Sequence, residues 1–148
     1  MSFQTDLNFG EQGELFVLEK LHYKYPKAYK VKGYYKEWDL FIPEKDVGIE
    51  VKSDRATHKT GNVVIENKYG DAPSGIETTK AAWWAYITKD NLYWITPDKI
   101  KECIKDNNLE AREFPPVEGD FKKKSLYLIK ETLFKKYAKR SERIDGRN

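Results

Sequence analysis

Residues 8–25 place Leu15, Phe16, Leu18 and Leu21 at helical spacing, and Pro26 closes the run, which predicts a first helix. The period then shortens. "AYKVKGYY", "EWDLFIP" and "DVGIEVKS" each predict a strand, rich in β-branched and aromatic residues, with Pro43 ending the second and the polar turn "EKD" leading into the third. Three such runs in quick succession predict a meander of antiparallel strands. After the polar loop 54–61, "NVVIENKY" predicts a fourth strand and "GDAPSG" a turn. The apolar spacing 81, 84, 85, 87 and the alanines of "IETTKAAWWAYITKD" predict a helix with Thr or Ser as its N-cap. "NLYWITP" predicts a fifth strand, Pro97 the first turn of a helix through "DKIKECIKDNN", and "SLYLIK" a late strand before a basic C-terminal helix. The order αβββ(β)αβαβα defines an α/β fold, a mixed sheet flanked by helices.

A chain of 148 residues suits one domain. It is placed at 1–140, and residues 141–148, without an apolar anchor, are expected to form a flexible tail. The hydrophobic fraction is 39% and the aromatic fraction 14%, so the core must draw on Tyr, Trp and Phe. No apolar run approaches the roughly 20 residues that span a bilayer, and the first residues lack the pattern of a secretory signal; the expectation is a soluble, cytoplasmic protein.

A single cysteine, Cys103, excludes an intrachain disulfide, and with two histidines it excludes a Cys- or His-rich zinc site. Cys103, beside Ile100 and Ile104 on a helix, is expected to be a buried small hydrophobe. Any metal must be held by oxygen, which points to a hard cation such as Mg²⁺ or Mn²⁺. Net charge is only +3, but "FKKKSLYLIKETLFKKYAKRSER" gathers basic residues that suit either phosphate contacts or a solvated helix face.

The chemistry is concentrated in "WDLFIPEKDVGIEVKSD". On a strand, Glu50 and Lys52 share one face while Ile49 and Val51 take the other. If the strands holding Asp39 and Glu50 pair across the "EKD" turn, the two carboxylates meet at one end of the sheet. Carboxylates that close need positive charge, which Lys52 and a divalent cation supply. Two carboxylates, a hard cation and an ammonium fit hydrolysis of a phosphodiester. The plainer alternative is a charged, half-exposed sheet face that discourages aggregation.

These residues resemble the PD-(D/E)XK, or restriction-endonuclease-like, nuclease superfamily, in which an Asp ends one strand and Glu-x-Lys lies on the next. Trp38 stands where that signature has Pro. Many members add a Glu from the first helix; "GEQGELFVLEKL" offers Glu14, favoured for following Gly13 at the start of the apolar stripe, with Glu11 one turn earlier as the competitor. Downstream, "KTGNVVIENKYGDAPSGIETTKAAWWAYI" resembles small phage-type nucleases, with a Thr-Gly-Asn strand, a Ser-Gly loop and a helix starting Thr-Thr-Lys.

The resemblance spans about residues 9–96. It implies an αβββαβ core and Mg²⁺- or Mn²⁺-dependent DNA cleavage. Glu14, Asp39, Glu50 and the Val51 carbonyl would hold the metal, and Lys52 would position the attacking water.

Around this set, Glu66 is expected on the Val64 face of its strand, either as a further ligand or as a plain solvent-facing residue. Ser74, Thr78, Thr79 and Lys80 would border phosphate at a helix N-terminus or make an ordinary turn and cap. Arg55 and Lys59, with His58, form a basic loop expected beside DNA. Trp83, Trp84 and Tyr86 suit core packing ahead of base stacking. The rival readings are a Holliday junction resolvase acting as a homodimer and, from another class, a non-catalytic DNA-binding protein on the same fold.

Overall fold

The computed structural model describes residues 3–34, 36–54, 56–117 and 119–144, with side chains from residue 9 onward. The elements in chain order are α1 (Phe3–His22), β1 (Tyr29–Lys30), β2 (Leu40–Ile42), β3 (Val47–Ser53), the single turn α2 (Thr57–Thr60), β4 (Asn62–Tyr69) and β5 (Ala72–Pro73). A 3₁₀ turn (Gly75–Glu77) follows, then β6 (Trp83–Ile87), β7 (Asn91–Ile95), α3 (Pro97–Asp106), β8 (Arg112–Phe114), β9 (Lys124–Lys130), α4 (Glu131–Tyr137) and β10 (Arg140–Arg143). The chain is therefore a mixed α/β protein, as expected.

Two sheets form, where the sequence predicts one. A six-stranded sheet has the order β1-β2-β3-β6-β7-β10, and a four-stranded sheet the order β5-β4-β9-β8. In the first, β1, β2 and β3 are the expected antiparallel meander, with Leu40 opposite Ile49 and Phe41 opposite Gly48. β3 then runs parallel to β6, Glu50 beside Trp84 and Lys52 beside Tyr86. "NVVIENKY" is a strand, but it pairs with β9 in the second sheet.

The helix predicted over "IETTKAAWWAYITKD" does not exist. Its Ala and apolar spacing fits a helical stripe, yet Trp84, Ala85, Tyr86 and Ile87 are all buried, so no polar face is left for a helix to show to water. A continuous apolar run buried on both faces is the signature of a central strand in a parallel pair. Parallel neighbours need a long crossover, and residues 54–82 supply it with α2, β4, β5 and the 3₁₀ turn in place of one helix.

The first predicted strand is also shorter than "AYKVKGYY", reduced to Tyr29–Lys30. At the other end, Ser141 to Arg143, placed in the expected tail, pair with β7 as part of β10, and Glu142 accepts hydrogen bonds from Lys20 and the Trp94 indole. Residues 145–148 lie outside the described residues.

Alternation on the central strands builds the core on both faces of the large sheet. Ile49, Val51, Ala85, Ile87 and Leu92 turn toward Val17 and Leu21 of α1. Trp84, Tyr86, Tyr93 and Ile95 turn the other way, onto Val63, Ile65, Ile129, Ile100 and Phe134 of the second layer. The Tyr86 hydroxyl ties the layers together: it accepts from the Val64 N–H at 3.0 Å and donates to Asp54 at the end of β3. Cys103 is fully buried in α3, as expected.

Candidate active site

The point where β2 peels away from β3 gathers the charged residues. Asp39 stands just before β2, and its N–H still donates to the Ile49 carbonyl at 3.0 Å. One step further the ladder is continued by its side chain: Asp39 Oδ2 accepts from the Val51 N–H at 2.8 Å. The carboxylate thus stays buried in a sheet-edge gap without orphaning the Val51 amide. A strand residue points its N–H and C=O to the same edge, so the Val51 carbonyl faces this gap as well. Glu50 lies on the face of β3 that also holds Lys52, and the charge of Asp39 acts on it.

Two glycines set the approach of the elements. A Cβ on Gly13 would fall 2.1 Å from Ser53 Oγ and 3.3 Å from Ile87 Cδ1, so α1 can lie this close to β3 only with glycine there. The next residue, Glu14, is thereby held over the edge of the sheet. A Cβ on Gly48 would meet the Trp38 ring at 2.0 Å. Trp38 therefore lies against Gly48, just before Asp39.

Lysines join these carboxylates. Lys36 Nζ is 3.2 Å from Asp39 Oδ1 and 3.9 Å from Glu14 Oε2, while Lys30 Nζ is 3.2 Å from Glu14 Oε1. Lys52 Nζ is 3.3 Å from Glu50 Oε2 and 5.6 Å from the centre of the Trp84 ring. Burial pushes the Glu50 carboxyl above its ordinary range; Lys52 opposes this, and the Asp39 charge adds to it. Burial works against the Lys36 ammonium, but the hydrogen bond and charge of Asp39, with Glu14 and Glu50 behind, hold its pKa above the usual lysine value. The cluster is acidic enough to draw a cation from each side.

Among the described residues, no three acidic, histidine or cysteine side chains stand as a ready ligand set for one ion. The donor chemistry nevertheless fits a hard cation. Asp39 and the Val51 carbonyl offer oxygens at one gap, Glu50 is close enough to feel the Asp39 charge, and the Lys36 ammonium already lies between Asp39 and Glu14.

The structure thus brings Glu14, Asp39, Glu50, Val51 and Lys52 to one corner. Glu11 is exposed, while Glu14 is paired with Lys30 and Lys36, which separates the two candidates. Glu66 does share its face with Val64, but its partners are the Ser74 hydroxyl at 2.8 Å and Lys124 at 3.9 Å.

Ser74 is committed to Glu66, and Thr79 accepts from the Trp84 indole N–H at 3.1 Å. With β6 in place of a helix, the phosphate cradle expected at a helix N-terminus around Ser74, Thr78, Thr79 and Lys80 has no helix behind it. Lys59 and His58 are exposed on α2, and Arg55 lies outside the described residues. Trp84 and Tyr86 are buried core residues, not stacking platforms.

Sequence reasoning missed Lys30 and Lys36. Their signal was weak: Lys36 stands three residues before Asp39, but only the return of the 31–38 loop brings it onto the carboxylates.

The fold and this corner together define a mixed α/β protein with an acidic and lysine-rich cluster at a sheet edge. No family model matches the chain, and comparison with curated proteins and with solved structures gives no match. Among the described residues no helix is long and apolar enough to cross a membrane.

Proposed function

We propose that the protein is a divalent-metal-dependent deoxyribonuclease of the PD-(D/E)XK type, acting on DNA in the cytoplasm. The observation that supports this best is the meeting of Glu14, Asp39, Glu50 and Lys52 where β2 leaves β3. The helix-borne Glu, the Asp and the Glu-x-Lys strand come from separate parts of the sequence. A surface charge cluster needs no buried Asp39 that accepts from the Val51 amide, and a protein that only binds DNA gains nothing from carboxylates where phosphates approach.

Asp39, Glu50 and the Val51 carbonyl would hold Mg²⁺ or Mn²⁺, with Glu14 completing the set. The bound ion supplies a polarised phosphoryl oxygen and an acidified water. Lys52, anchored by Glu50 and the Trp84 ring, orients the attacking water and opposes the charge that builds on the phosphate. The Asp39 carboxylate is held in place by the Val51 amide, so its position does not depend on a flexible side chain.

The test is a panel of labelled DNAs, single-stranded, duplex, flap and four-way junction, incubated with Mg²⁺, Mn²⁺ or EDTA. Cleavage that requires metal is expected, and preference for the junction would favour the dimeric resolvase. Binding of DNA with no cleavage of any member would overturn the nuclease in favour of a binding protein.

A further inference from the structure

The segment that joins α1 to β2 interleaves lysines with aromatic rings. Between Tyr23 and Trp38 the sequence has Lys24, Lys27, Lys30, Lys32 and Lys36 against Glu37 alone, with tyrosines set between them. Several of these rings stand in water: Tyr34 is 100% exposed, Tyr23 90% and Tyr29 50%. Tyr34 follows Gly33, whose φ of 115° is a backbone conformation that glycine adopts readily.

Tyr29 also heads a row of three rings. Tyr29 stands opposite Phe41, and Phe41 opposite Gly48, so the three positions share one face of the sheet. It is the face of Glu50, two residues beyond Gly48 on β3. Trp38 covers Gly48 and stacks on Phe41, with ring centres 5.6 Å apart and planes within 20°. Phe41 in turn meets Tyr29 at 5.8 Å on the edge strand. The row thus begins beside the carboxylates and ends in solvent. The lysines connect the two regions, since Lys30 and Lys36 both reach Glu14.

We infer that the Tyr29–Phe41–Trp38 row and the Tyr34 loop receive the unpaired bases of a DNA strand whose backbone leads to Asp39 and Glu50. This rests on the nuclease proposal and narrows its substrate to single-stranded or locally opened DNA. A closed duplex offers phosphates and groove edges, but its base faces are already stacked on one another. Exposed aromatic faces interleaved with lysines match a strand whose bases are free, ring on base and ammonium on phosphate. The lysine excess argues for a polyanion over an apolar peptide as the occupant.

The test separates bases from phosphates. Fluorescence anisotropy in EDTA, where no cleavage occurs, compares a labelled oligothymidine, an abasic strand of equal length and a blunt duplex. The proteins are the wild type, Tyr34→Ala, Tyr34→Phe and Tyr29→Ala. Tyr34→Ala and Tyr29→Ala should each weaken oligothymidine binding by about 5- to 100-fold and leave abasic-strand binding unchanged. Tyr34→Phe should bind as the wild type, and the exposed Tyr34 variants should melt with it.

Equal affinity of the wild type for the oligothymidine and the abasic strand would overturn the inference. So would wild-type binding by both alanine variants, the result expected if a protein partner occupied these rings. A parallel Mn²⁺ assay keeps the two proposals apart. Tyrosine-dependent binding without cleavage would leave the platform standing and remove the nuclease; cleavage indifferent to both tyrosines would do the reverse.

Discussion

The ammonium of Lys36 reaches carboxylates from two elements, Glu14 of α1 and Asp39 before β2, and also feels Glu50. Replacing it by methionine keeps the stem and removes the charge, leaving the carboxylates to repel one another. In thermal melts without metal, Lys36→Met should lose about 1 kcal/mol of stability. Added Mn²⁺ should then raise its Tm by more than it raises that of the wild type.

Buried hydroxyls give a second expectation. The Tyr86 and Tyr93 hydroxyls are pushed above the ordinary tyrosine range, first by burial and then by the carboxylates of Asp54 and Glu131 that accept from them. Tyrosines of the unfolded chain ionise near about pH 10, while these two stay protonated in the folded state. The folded state then holds more protons, so the stability they contribute is intact below about pH 10 and is lost as pH rises beyond it. Melts across this range should show Tm falling above about pH 10, with a shallower fall for Tyr93→Phe.

That Glu50 and Lys52 share a face was legible at this scale because alternation on a strand fixes which residues lie together. Lys30 and Lys36 were not, because no periodicity governs a returning loop.

Among the elements, α1 and the β2–β3 hairpin set the corner through two glycines. Gly13→Val and Gly48→Val should each cost about 1–3 kcal/mol, since the new side chains meet Ser53 and Ile87 in one case and the Trp38 ring in the other. Gly10→Ala, on the same helix with nothing within 4 Å, should stabilise by about 0.5–1 kcal/mol in the same urea or thermal melts.

The meander was readable from Pro43, the "EKD" turn and the run of β-branched residues, and α3 from Pro97 and its apolar stripe. β6 was not. Its alanines and tryptophans satisfy a helical stripe and a buried strand equally well, and only the parallel pairing with β3 decides between them. Hydrogen exchange tests the outcome, because Trp84–Ile87 are paired to both β3 and β7 and should be among the slowest-exchanging amides. Fast exchange there would contradict the central strand.

At the scale of the molecule, the large sheet is covered by α1 on one face and by the second layer on the other. The charged corner lies toward its β1–β2 edge. The sequence pattern supported a mixed α/β architecture and the residues of this corner. It did not reveal the second sheet, because pairing between β4 and β9 joins segments some sixty residues apart and leaves no local trace. On the proposed reading, the carboxylates of this corner would hold a cation and the Lys52 ammonium would serve the transition state.

The most direct measurement is therefore Mn²⁺ binding by calorimetry, paired with cleavage of a labelled single strand, for the wild type, Asp39→Asn and Lys52→Ala. Asp39→Asn should lose both binding and cleavage, whereas Lys52→Ala should keep Mn²⁺ binding and lose at least about a hundredfold in cleavage rate. Cleavage that survives both substitutions, or Mn²⁺ binding indifferent to Asp39, would contradict the account.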